Sequence, residues 1–184
     1  LTISCNVLGE DISDFNIEGM YIGESLLDYY SEEEIFKNKS NASYNLKEAK
    51  FYSTTFRNSN FENYEAVEIF LKSNDNNYII YSIRGGIFYE NKIEECKVKK
   101  KEILNEMKNF LKMNFVSGEL KHQFDETGKS IQYQSYFLLE DNSNIRVECY
   151  QWSKEVKKQY NWTDNLSVSL VSSEVQEWIN NNYK

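Results

Sequence analysis

The chain has 184 residues, 40% of them hydrophobic, 15% aromatic and 27% charged, with a net charge of −8 at pH 7. That is the profile of a folded domain with enough residues to bury a core, and its acidity argues against a nucleic-acid partner. One histidine, His122, and no proline exclude two-histidine metal motifs and leave a single imidazole for any Ser–His or Cys–His pair.

The bias toward Asn, Lys, Ile and Tyr, with Ala and Arg scarce, follows from the codons of an AT-rich genome, so the Asn content carries no functional signal.

At the start, Leu1, Ile3, Cys5 and Val7 alternate with Thr2, Ser4 and Asn6, the period of a half-buried strand. A first residue other than Met is what signal-peptide removal leaves, and equally what trimming of the chain leaves; on the first reading the chain is expected to be periplasmic or secreted. Reading Leu1 to Cys5 as a lipoprotein site with Cys5 acylated fits less well, because a lipidated cysteine precedes a polar tether. An immunoglobulin B strand fails too, since the first Trp after Cys5 is Trp152.

Residues 22–37 read as an irregular helix with Ile22, Leu26, Leu27, Tyr30 and Ile35 apolar. Ser31 and Glu34 have capping-box spacing and predict a break and restart at Ser31. Glu32, Glu33 and Glu34 then sit where the helix dipole favours negative charge, which explains them without catalysis.

Val67, Ile69 and Leu71 alternate, a turn follows at 74–77, and 78–83 returns as a strand. Gly85 and Gly86 read as a turn or bulge.

Residues 91–112 carry the clearest helical period, with Ile93, Cys96, Ile103, Leu104, Met107, Phe110 and Leu111 on one face. Glu95 and Lys99 have favourable i, i+4 spacing. The basic run Lys97 to Lys101 lies among glutamates and reads as a solvated face.

A second hairpin runs through Ile131, Tyr133, Phe137 and Leu139, turns at 141–144 and returns through Ile145, Val147 and Cys149. Asn and Asp tolerate left-handed backbone, hence their place in both turns. The hairpins resemble each other (70–77 against 137–144), which raises a degenerate duplication of a helix-plus-hairpin unit with halves 9–89 and 90–184; a shared hairpin grammar without common ancestry accounts for the likeness equally well. A strand at 166–171 and a helix from Ser173, boxed by Gln176, close the chain. The expectation is one α+β domain over 1–184, an antiparallel sheet with helices packed on one face.

Cys96 lies on the helix stripe and Cys149 on the inward strand face, so a Cys96–Cys149 disulfide is geometrically open to an exported chain. The alternatives are a pairing through Cys5 or three free thiols. No basic, exposed setting marks a catalytic cysteine.

Other fragments fail as motifs. Gly128-Lys129-Ser130 ends like a phosphate loop but lacks the required first glycine, and reads as a polar turn. Asp75, Asp125 and Asp141 sit in turns without an EF-hand pattern. Asn38, Asn41, Asn161 and Asn165 begin sequons that chance supplies in such a composition. His122 and Asp125 have the spacing of an acid–base pair, against the plainer reading of an exposed loop histidine. No metal or cofactor is implied.

One segment invites a functional reading. Strand parity places Arg146, Glu148, Tyr150 and Trp152 opposite Cys149, and Tyr160 and Trp162 follow a Lys-rich link. Aromatics among charges on an outer face form a contact patch for a protein or glycan. The competing expectation is that a second layer covers them, with Trp178 of the last helix as the cover.

The sequence therefore favours an exported, non-enzymatic binding module with no transmembrane segment, contacting its ligand through Arg146, Tyr150, Trp152, Tyr160 and Trp162. The alternatives are a hydrolase of envelope material using carboxylates or Tyr, and an acidic immunity-type inhibitor with reduced thiols.

Overall fold

The computed structural model describes residues 11–40, 50–123 and 125–182. The strand expected at 1–7, Cys5 and the Asn41 sequon lie outside them. Strands β1 (Asn16–Ile17) and β2 (Met20–Tyr21) pair first. Helix α1 (Glu32–Lys37) then leads to β3 (Phe51–Phe56), β4 (Ala66–Lys72) and β5 (Ile80–Phe88). Helix α2 (Ile93–Leu111) leads to β6 (Val116–Lys121), β7 (Ile131–Leu138) and β8 (Asn144–Gln151). The chain continues through α3 (Lys154–Tyr160), β9 (Asn165–Val171) and α4 (Ser173–Asn182).

The main sheet has seven antiparallel strands in the order β3-β4-β5-β9-β8-β7-β6, and the fold is α+β as its sequence pattern predicts. A helix followed by three strands occurs twice, α1-β3-β4-β5 and α2-β6-β7-β8. In the sheet the two triplets flank β9 and place β3 and β6 at opposite edges. No helix among the described residues is long and apolar enough to cross a membrane. Two compact units interleave along the sequence. One comprises Leu1–Gly85, Leu138–Ile145 and Ser169–Lys184, the other Gly86–Phe137 and Arg146–Val168.

In the first unit, the irregular segment at 22–37 resolves into a 3-10 turn at Leu26–Asp28 and α1, with the break at Ser31. The Ser31–Glu34 capping box is complete, each side chain bonding the other's backbone. Thr54 donates its hydroxyl to the Ile35 carbonyl at 3.1 Å, so α1 lies on the even-numbered face of β3. Phe51, on the odd face, packs with Val171, Val175 and Trp178. Helices therefore meet both faces of β3, because α4 supplies a second apolar surface that the earlier helix does not cover. The cap of α4 is Ser172 rather than Ser173: the Ser172 hydroxyl accepts the Val175 amide. Gln176 accepts instead from the Asn144 amide group at 2.9 Å.

Gly85 and Gly86 form no turn; both lie within β5. A Cβ on Gly85 would fall 2.5 Å from the Tyr64 ring, so the glycine makes room for an aromatic lid. The loop carrying Tyr64 is held by Glu18, whose carboxylate accepts the amides of Glu62, Asn63 and Tyr64 at 2.8–3.1 Å.

In the second unit, α2 buries Cys96, Ile103, Leu104 and Met107. Phe110, expected in the same stripe, is 56% exposed. The buried face ends at Met107, one turn before the left-handed Lys112 stops the helix. Cys96 is disulfide-bonded to Cys149, 53 residues away, with Cα atoms 6.1 Å apart. The expected Glu95–Lys99 pair is replaced by Lys92–Glu95 and Lys99–Glu102 at i, i+3. Such exposed pairs differ little in energy, so side-chain rotamers decide among them.

Lys97 lies over the Tyr133 ring at 4.1 Å, and Lys100 donates to the Tyr133 carbonyl at 2.7 Å. Burial lowers the Lys100 ammonium to a pKa of about 8, against a weaker upward pull from Glu148. Between about pH 8 and its ordinary range, an unfolded chain keeps this proton while the folded chain has released it, so raising the pH favours folding. Lys100→Met removes that dependence. Its stability relative to wild type is expected to be greatest near pH 7 and to shrink toward pH 10, measured by urea unfolding across that range. A difference independent of pH would refute the assignment.

Candidate binding site

The site grows from the end of β8 in the second unit, where the chain leaves the sheet and turns into α3. Ser153 caps α3 by accepting the Val156 amide at 3.2 Å, and its own amide donates to the Ser130 hydroxyl at 2.9 Å. That hydroxyl donates in turn to Asp125, which also accepts the Ser130 amide at 2.7 Å and the Thr127 amide at 3.0 Å. These hydrogen bonds hold the Asp125 carboxyl far below the usual range, those from Thr127 contributing most. The turn at 128–130 is therefore a polar knot built on Asp125, with Gly128 in the left-handed region (φ +64°), and no phosphate loop.

A second buried carboxylate, Asp164, pins the other side. It accepts the Trp152 amide at 2.8 Å and the Lys157 ammonium at 2.8 Å. Lys157 also donates to Asn91 at 2.8 Å. The backbone of Trp152 is thus fixed between two carboxylate-centred networks.

Around it runs a continuous series of rings. Tyr150 stacks on Trp152 with centroids 5.4 Å apart, and Trp152 meets Trp162 at 4.6 Å. Trp162 stacks with Tyr160 at 5.0 Å and an interplanar angle of 29°. His122 stands edge-on to Trp152 at 4.6 Å. Exposure rises along the series, from 7% at Tyr150 and 9% at Trp152 to 37% at Trp162 and 48% at Tyr160.

The five residues read from the sequence as one patch therefore divide. Tyr150 and Trp152 are core, clustered with Val156 of α3. Tyr160 and Trp162 form the outer surface. Arg146, half-buried on β8, lies four residues before Tyr150, roughly 13 Å along the strand, outside the ring series. The cover over Trp152 is α3, not the last helix, whose Trp178 packs on Phe51.

The sequence pattern missed α3. Its signals were present: Ser153 as cap, Val156 and Tyr160 at i, i+4, and Asn161 in left-handed backbone after the last turn (φ +55°). Asp164, Ser130 and Ser153 were missed as well, because their partners lie far away in sequence.

His122 is half-buried against Trp152 and Tyr150, not an exposed loop residue. The pairing with Asp125 fails, since both carboxylate oxygens of Asp125 are taken by Thr127 and Ser130. Glu148 is 3% exposed and bonds Tyr150 and Gln132. That enclosure makes it a support for the rings, without access to a substrate. The carboxylates of Asp75 and Asp141 each accept an amide of their own turn at 2.9 Å. No metal-ligating cluster of His, Cys, Asp or Glu occurs among the described residues.

Comparison of the chain with models of protein families, with curated proteins and with solved structures yields no match.

Proposed function

We propose that this is an exported binding module whose contact surface is the Tyr160–Trp162 corner. The observation that carries the reading is the pair of exposed, stacked rings seated on a rigid base. Trp162 leans on a Trp152 whose amide is fixed by Asp164, and Tyr160 ends the helix capped from the Asp125 knot. Exposed aromatics held this way bring large contact area at little entropic cost, the property of residues that dominate binding energy. A flat ring pair suits the apolar face of a sugar or a side chain of a protein ligand. The Cys96–Cys149 disulfide supports an oxidising compartment and runs against a cytosolic inhibitor.

Trp162 also supplies the assay. Its fluorescence is to be followed while soluble oligosaccharides and purified extracellular proteins are titrated in. A saturable change is expected with one of these classes. Trp162→Ala should weaken that binding by about 30-fold or more, on the scale of a hot-spot aromatic, with thermal unfolding nearly unchanged. Equal affinity of wild type and variant would sink the proposal.

A further inference from the structure

The two edges of the main sheet occupy equivalent places in the repeated helix–three-strand order, yet only one is covered. On β3, residues 38–40 run alongside: Ser40 donates to the Ser53 carbonyl at 2.8 Å and Thr55 to the Asn38 carbonyl at 2.9 Å. On β6, every residue from Val116 to Lys121 is exposed. Its inner side pairs with β7, Val116 opposite Tyr136 and Lys121 opposite Ile131, which leaves the outer row of backbone groups unpaired among the described residues. Natural edges are blunted by charged side chains, proline, bulges, cover or shortness, and of these β6 carries only charges, Glu119 and Lys121, on the strand face opposite Val116 and Leu120. β6 is six residues long and carries two large apolar side chains in water, Val116 at 55% and Leu120 at 49% exposure.

The spacing of these two residues identifies what fits. They lie four apart on one face with Gly118 midway. When two copies of β6 pair antiparallel about a two-fold axis normal to the sheet, directly opposed side chains share a face. The axis must then pass through a residue and its own counterpart. Centred on Gly118, Val116 meets the partner's Leu120 twice, Ser117 meets the partner's Glu119 twice, and all of 116–120 is paired. Moving the centre to Glu119 sets two carboxylates opposite each other. Centring on Ser117 or Leu120 leaves fewer strand residues paired. Apolar cross-strand pairs stabilise a sheet and opposed like charges destabilise it.

We propose that β6 docks a second copy of this chain, strand to strand about Gly118, and extends the sheet across the dimer. The proposal is independent of the ligand. It would give the assembly two Tyr160–Trp162 corners, and hence avidity for any ligand that repeats.

The test is a register-specific cross-link. In this pairing the two Gly118 Cα atoms are about 4.5–5.5 Å apart, within disulfide range. A Cβ at 118 meets only the Gln134 side chain, at 3.5 Å, so G118C should fold normally. In a Cys5→Ser background, oxidation is expected to convert G118C to a covalent dimer while L120C stays monomeric. Sedimentation of the wild type should show a concentration-dependent dimer that V116K/L120K abolishes, while the variant's melting temperature matches that of wild type diluted to the monomer. A wild type that stays monomeric at all concentrations, with no G118C cross-link, overturns the proposal and leaves the edge to a strand of another protein. Equal cross-linking of G118C and L120C overturns it as well, because it marks random collision.

Discussion

Replacing Trp152 by Ala is expected to cost about 3–5 kcal/mol of folding stability, the range for truncating a large buried aromatic. The ring touches Tyr150, His122 and Trp162 at centroid separations of 4.6–5.4 Å and packs with Val156. Its removal opens a cavity between β8 and α3 that the pinned backbone resists closing. The indole Nε1 is buried without a hydrogen-bond partner, so Trp152→Phe loses less: it keeps most of the ring contacts and removes an unsatisfied donor. Urea unfolding should therefore rank wild type near Trp152→Phe, with Trp152→Ala well below both and Trp162→Ala close to wild type. A loss under about 1 kcal/mol for Trp152→Ala would mean the base of the ring series is not packed as described.

The same residue shows how far the sequence could be read. Strand parity set Tyr150 and Trp152 on the face opposite Cys149, and the structure agrees. Parity says which face a side chain takes, not what covers that face. The cover is α3, a seven-residue helix that read only as a Lys-rich link. Its one buried residue, Val156, is too little periodicity to register. The long-range pins were equally invisible, because Asp164 to Trp152 and Ser130 to Ser153 join residues 12 and 23 apart through single hydrogen bonds. α2, the Ser31 cap and the turns at 74–77 and 141–144 were legible because each rests on local chemistry. β6 was not: its apolar residues alternate with Ser, Gly and Glu on a strand exposed throughout, so no burial pattern was imposed on its sequence.

Removing the Cys96–Cys149 disulfide is expected to lower stability by about 3–4 kcal/mol, since the bond closes a long loop in the unfolded chain. For a chain of this size that is roughly 10 °C in melting temperature. The comparison is between wild type and Cys96→Ser/Cys149→Ser, each with and without reductant. Wild type should fall to the level of the double variant once reduced, and the double variant should not respond. Both cysteines are fully buried, so reduction under native conditions should require an opening of α2 from β8 and be slow, becoming fast in denaturant. Mass measurement of protein prepared under oxidising conditions should show two protons fewer than the reduced chain, with Cys96 and Cys149 in one cross-linked peptide. Three alkylatable thiols in that material would remove the bond, and with it the chemical support for an oxidising compartment. The ring series would be left standing, because its pins at Asp125 and Asp164 are hydrogen bonds that no reductant touches.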